Sequence, residues 1–281
     1  MTARPLAGLA IALAVLVACG GTGTPQAPTA PPAEAPPLGD ADPAQLQAKA
    51  ETRYALVPSP TETQAALSAA GLDAQLADLV PPDRAFRLEA TDADRVAVRT
   101  GVVIADMLLT ARTSSPETLT AQLTAIRSGM AALGGGPDVD ATVAELLQRL
   151  QVGGLDRDAL VKELEEISQV GIPELEFNGV ARVVPLVQAG SWLAGANLVA
   201  RAALAKGSTQ GVDGILKQPA VVQYFAGYAR QNVPEGAPAE VAAALDATLT
   251  RLGAVATKAE PLTPDDLQAV VDATQAVLVL L

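Results

Sequence analysis

Residues 178–206 read NGVARVVPLVQAGSWLAGANLVARAALAK, and this stretch decides the fold. Apolar residues fall on nearly every side of a helix drawn through it, with no alternating run of the kind a half-buried strand requires. A helix that is apolar all round belongs in the interior of a protein. Residues 92–113, DADRVAVRTGVVIADMLLTART, have the same character. Within the two stretches, Gly101-x-x-x-Ala105-x-x-x-Leu109-x-Ala111-Arg112 matches Gly190-x-x-x-Ala194-x-x-x-Leu198-x-Ala200-Arg201 position for position. Two origins remain open for this match. An internal duplication would put both helices at equivalent central positions, about a pseudo-twofold axis. Convergence on a small-residue stripe for close packing is the simpler account. Each mid-helix glycine costs up to ~1 kcal/mol relative to alanine, which is tolerable where a neighbouring backbone comes close. Both origins place the two helices at the centre of the core.

Neither 178–206 nor the C-terminal apolar run reads as a membrane span. Arg182, Pro185, Gln188, Asn197 and Arg201 interrupt 178–206, and the apolar run from Ala276 to Leu281 is too short. Working outward, the composition is that of a helical protein: alanine makes up about a fifth of the chain and aromatics only 2%. Helix starts are marked by Ser59-Pro60-Thr61-Glu62, Ser115-Pro116-Glu117 and Thr263-Pro264-Asp265-Asp266, a capping hydroxyl followed by proline and then acids in the first turn. Thr91-x-x-Asp94 is a looser relative of the capping box. Stops are marked at Gly134-Gly135-Gly136-Pro137, Gly153-Gly154, Gly171-Ile172-Pro173 and Gly207. These signals predict helices near 44–54, 61–80 with a break at Gly71, 92–113, 117–133, 139–151, 157–169, 178–206, 219–231, 238–256 and 264–280. The expected fold is all-α, a single multi-helix bundle of about nine or ten helices around the two central apolar ones.

The N-terminal part carries an address. Arg4 supplies a positive n-region, Leu6 to Val17 is an apolar run of signal-peptide length, and Leu16-Val17-Ala18-Cys19 follows. That tetrapeptide resembles the lipobox of bacterial lipoproteins. The resemblance covers only about the first twenty residues. It implies acylation of the Cys19 sulfur and cleavage just before it, with two or three acyl chains making the anchor effectively permanent. Gly20, where an aspartate would favour retention at the inner membrane, implies the outer membrane. Cys19 is the only cysteine, so no intramolecular disulfide forms. The expected organisation is a cleaved signal peptide over 1–18, a Pro/Ala-rich disordered tether over 19–42 and an α-helical domain over 43–281. The tether, with its many prolines and no aliphatic periodicity, buries too little apolar surface to fold.

The chain carries a net charge of −12, and losing Arg4 with the signal peptide would take it to −13. That balance argues against nucleic acid or an anionic surface as partner. The acidity is uneven: residues 138–176 hold ten acids against Arg149, Arg157 and Lys162, whereas 177–233 hold Asp213 against five basic residues. Packing the acidic helices against the flanks of 178–206 would account for it, and a docking patch for a cationic partner is the functional alternative. Within the acidic stretch, Lys162 can reach Glu166 one turn away.

The inventory for chemistry is thin. Histidine is absent and the mature domain has no cysteine, which removes the commonest general base, the usual zinc ligands and thiol catalysis. No nucleophile elbow, P-loop or dinucleotide fingerprint appears. The pairs Asp92-x-Asp94, Asp138-x-Asp140 and Asp156-x-Asp158 sit at helix starts, where aspartate caps, and none continues into a calcium loop. No catalytic residue, no metal site and no cofactor are expected. Three residues stand out. Asp106 lies inside Val102-Val103-Ile104-Ala105-Asp106-Met107-Leu108-Leu109, where a charge is costly unless paired. Asn197 occupies the comparable apolar stretch of the second central helix, and Trp192, the single tryptophan, precedes it by five residues. With Tyr224 and Tyr228 they could line a pocket, or they could form a structural polar network in the core. Arg182 and Arg201 are the expected partners of Asp106. The functional expectation is a lipid-anchored helical interaction or scaffold module with an envelope protein as partner. A carrier or sensor for a small, mostly apolar ligand held between the central helices is the alternative, and a carboxylate-dependent enzyme ranks last.

Overall fold

The helix starts obey the capping chemistry written in the sequence. Ser115 accepts a hydrogen bond from the Thr118 N–H with Pro116 at the first helical position. Thr263 and Asp266 form a full capping box ahead of Pro264. At the start of the first central helix the cap is Asp92, which accepts from the Asp94 N–H at 3.0 Å. Thr91, expected there, lies outside the described residues. The structure, a computed structural model, describes residues 60–81, 84, 92–154, 156–175, 182–232 and 239–279. The expected helix at 44–54, the signal peptide, Cys19 and the tether lie outside them.

The described elements are α1 (Pro60–Ala69), a 3-10 turn (Asp73–Gln75), α2 (Leu76–Leu79), α3 (Ala93–Thr110), α4 (Pro116–Ala132), α5 (Pro137–Gln151), α6 (Arg157–Leu175), α7 (Val184–Lys206), α8 (Asp213–Leu216), α9 (Pro219–Asn232), α10 (Ala239–Ala256) and α11 (Pro264–Leu278). No strand occurs among the described residues. The fold is the expected all-α bundle around two central helices. Gly71, at φ +65°, breaks α1 from α2 as anticipated, and Gly207 closes α7 in the left-handed conformation.

Several boundaries differ from the sequence reading. The first helix of the 178–206 stretch begins at Val184, because Pro185 sets the first turn and residues 182–183 form a turn ahead of it. α3 ends at Thr110, three residues early, where Arg157 donates to the carbonyls of Ala111 and Ser114. α6 runs through Gly171-Ile172-Pro173 to Leu175 rather than stopping near 169. Gly171 is there for space, not for a turn: a Cβ on it would press against Met130 Cε and Val139 Cγ2, and the fully buried Leu175 keeps the last turn docked. The one-turn α8 carried no periodic signal.

Among the described residues α3 and α7 form the most extensive helix contact, and they run parallel. Asp94 meets Arg182 at their N-terminal ends, and Ala105 lies with Ala194 further along. Gly101 packs against the Val187 carbonyl and Gly190 against the Val98 carbonyl, so closely that a methyl group on either would overlap the opposing oxygen. These contacts are reciprocal. The match goes no further along the pair: Ala111 and Ala200 fall on opposite sides of the core, and Arg112 and Arg201 bind Asp158 and the Leu79 carbonyl. Beyond the pair the two halves are built differently: α3 packs on its successor α4, whereas α7 packs chiefly on α11.

The pair divides the core. On one side Val103, Met107, Leu119, Leu123, Val143, Leu146 and Leu160 are buried between α3, α4, α5 and α6. On the other Leu67, Leu76, Leu198, Val221, Phe225, Leu252 and Leu267 are buried between α1, α2, α7, α9, α10 and α11. Among the described residues no helix is long and apolar enough to cross a membrane.

Candidate functional site

Asp106, one turn before the end of α3, meets the side chain of Arg84 in the interior. It is 2% exposed, and the Arg84 guanidinium, 12% exposed, donates from one nitrogen to both carboxylate oxygens at 3.0 and 3.2 Å. Arg201, from α7, adds positive charge nearby, but its hydrogen bond goes to the Leu79 carbonyl at 2.6 Å. The Thr110 hydroxyl donates to the Asp106 main-chain carbonyl and receives a bond from Ser114. Burial pushes the Asp106 carboxyl up to about 6, against the opposing pull of Arg84 and Arg201.

Asp106 is therefore the buried, paired carboxylate the sequence suggested, with a partner the sequence did not. Arg182 pairs instead with Asp94 at 2.6 Å, largely in solvent. It stands level with the start of α3, and the twelve residues from Asp94 to Asp106 are about 18 Å of helix, well beyond its reach. Arg84 lies 22 positions before Asp106 in sequence, outside the long helices. No periodicity or motif marks it.

Asn197 and Trp192 lie on different sides of α7. Asn197 is fully buried and donates to Thr274 Oγ1 of α11 at 2.9 Å, while its own Oδ1 has no hydrogen-bond partner among the described residues. Thr274 passes the chain on to the Val270 carbonyl. Trp192 packs on Phe225 of α9 with ring centroids 5.4 Å apart, and Tyr224 meets the same ring edge-on at 5.1 Å. The Tyr228 hydroxyl donates to the Arg182 carbonyl. The aromatic residues come together, whereas Asp106 and Asn197 each serve a separate polar contact. Phe225, the ring that joins the tryptophan to the tyrosine, was not singled out from sequence, although it is adjacent to Tyr224.

The paired aspartates do capping and ion-pairing work. Asp156 accepts from the N–H groups of Asp158 and Ala159 at the start of α6, Asp158 pairs with Arg112, and Asp140 pairs with Arg127 of α4. Glu163 is bound by Arg149. The ion pairs described for the acidic helices thus come from Arg112 just beyond α3, from Arg127 of α4 and from Arg149 of α5. Lys162 and Glu166 do not pair with each other but line an open groove of about 570 Å³ between α5 and α6, together with Asp138, Val139 and Thr142. An apolar crevice of about 20 Å³, lined by Ile104, Met107, Ile126, Met130 and Leu164, has room for roughly one water-sized group. Among the described residues no cluster of carboxylates is arranged to hold a metal ion.

No known family model, curated protein or solved structure matches this chain.

Proposed function

We propose that the protein is a bacterial envelope lipoprotein, anchored through acylated Cys19, whose helical body acts as a non-catalytic interaction or scaffold module for an envelope partner. The observation that carries this reading is Leu16-Val17-Ala18-Cys19 behind an apolar leader and ahead of the Pro-rich stretch from Gly20 to Asp42. A tethered body of this kind presents helical surface at a distance from the bilayer, and Gly20 directs the anchor to the outer membrane. The non-catalytic part rests on composition: no histidine, and no cysteine beyond the anchor. The acidic balance goes with a protein partner rather than nucleic acid.

The open groove between α5 and α6 favours a second reading, a carrier for a small molecule, since its volume is in the range of ligand sites. One experiment separates the two. The tagged protein is pulled from detergent-solubilised envelope and examined by native mass spectrometry. The scaffold reading expects a stoichiometric protein partner and an unliganded body. A small molecule that co-purifies at one copy per chain would hand the assignment to the carrier reading.

A further inference from the structure

The groove between α5 and α6 and the apolar crevice are neighbours, and Ile167 lines both. They converge again at Gly171, where a Cβ would lie 3.1 Å from Met130 Cε of the crevice and 3.4 Å from Val139 Cγ2 of the groove. The two spaces differ in chemistry. The crevice, of about 20 Å³, is walled by apolar side chains of α3, α4 and α6 and has room for about one methyl-sized group. The groove, of about 570 Å³, carries Asp138, Glu163, Glu166 and Lys162. Arg149 takes Glu163 at 2.7 Å, whereas Asp138 and Glu166 make no ion pair among the described residues. That leaves two carboxylates against one lysine. The carboxylates alone would be a solvated face; the apolar crevice beside them makes a site with two chemistries.

We propose that groove and crevice together bind a small amphiphile with an ammonium head and one alkyl chain, the head among the groove carboxylates and the chain end beside Met107 and Met130. This deepens the carrier reading of the groove and rests on it. Charge selects the head. An ammonium finds acceptors at Asp138 and Glu166, whereas an anionic head would meet both as like charges. The apolar wall selects the tail. A methyl end is buried there favourably, and a charged end would be stranded without a partner. Methionine suits such a wall, because its unbranched side chain can yield to a chain longer than the resting crevice admits. Gly171 keeps the end of Met130 uncrowded. The chain has three methionines, and the two beyond Met1 both stand at this crevice.

The test reads those two methyl groups by NMR. The full chain, carrying methionine labelled with 13C at the methyl and held in detergent, is titrated with n-hexylammonium, hexanoate and hexane-1,6-diammonium, probes of equal chain length. n-Hexylammonium should shift the Met107 and Met130 signals saturably and bind about tenfold more tightly than either of the others. Asp138→Asn combined with Glu166→Gln changes two exposed side chains outside any described ion pair. It should keep the wild-type spectrum in the absence of probe and weaken n-hexylammonium about tenfold. Hexanoate or the diammonium binding as tightly as n-hexylammonium, or undiminished affinity in the double variant, would overturn the amphiphile and leave the carrier reading in place. Silence of both methyl groups towards all three probes would also overturn it. The carrier reading then falls as well if native mass spectrometry of the envelope-purified chain shows no small molecule.

Discussion

Burying Asp106 beside Arg84 and Arg201 sets desolvation against Coulomb attraction on one carboxyl, and desolvation prevails. The folded value, about 6, lies above the unfolded value near 3.9. Stability linked to this group is therefore fully present below about pH 4 and is lost as the pH rises through about 6. The two partners should respond unequally to mutation. Arg84→Gln at pH 7.5 strands a buried carboxylate and should cost about 3 kcal/mol, a loss that shrinks at pH 5 because the proton replaces the arginine. Asp106→Asn leaves an arginine that can turn to water, and should cost only about 1–2 kcal/mol. Urea melts of both variants at the two pH values check this ordering. A larger loss for Asp106→Asn would mean that Arg84 cannot leave its site. The charge itself was legible in the sequence because it interrupts an apolar run. Its partner was not, because a single arginine in a connection has no period and only the folded chain brings it 22 positions forward.

At the scale of elements, the sequence is most informative where one residue type has one physical use. Proline after a capping hydroxyl starts α4 and α11, and a positive-φ glycine separates α1 from α2. Gly171 looks like the same punctuation and is not: it makes room for Met130 and Val139 inside a continuing helix. Distinguishing the two uses takes knowledge of the neighbour. Gly101 and Gly190 show the spacing use at its strongest, since the added methyl would meet main chain that cannot yield. Alanine at either position should lower stability by about 3 kcal/mol, the upper part of the overpacking range. At Gly227 in α9, where a methyl would meet nothing, alanine should instead add about 0.5–1 kcal/mol through helix propensity. Chemical denaturation of the three single variants measures the contrast. A neutral Gly190→Ala would contradict the close α3–α7 approach.

Over the whole molecule, helix content and the central place of 92–113 and 178–206 could be read from hydrophobic pattern alone. The division of the core into two sides could not, because pattern says that a helix is buried without saying by what. Gly101 with Gly190 and Ala105 with Ala194 set the close parallel register of α3 and α7, while the different partners of α3 and α7 confine any internal symmetry to that pair. A fragment starting near Asp42 should fold without lipid, give a strongly helical far-UV spectrum and keep its melting temperature in EDTA; a strand-dominated spectrum or a large fall with chelator would contradict the helical, metal-independent body. The proposal that gives this body its role is the anchor. The most direct measurement is metabolic labelling with a radioactive fatty acid, with membrane fractionation of the wild type and Cys19→Ala side by side. The account predicts label and membrane residence for the wild type, and an unlabelled Cys19→Ala chain that is released or mislocalised. Label retained by Cys19→Ala, or unchanged membrane partition without it, would contradict the lipoprotein assignment.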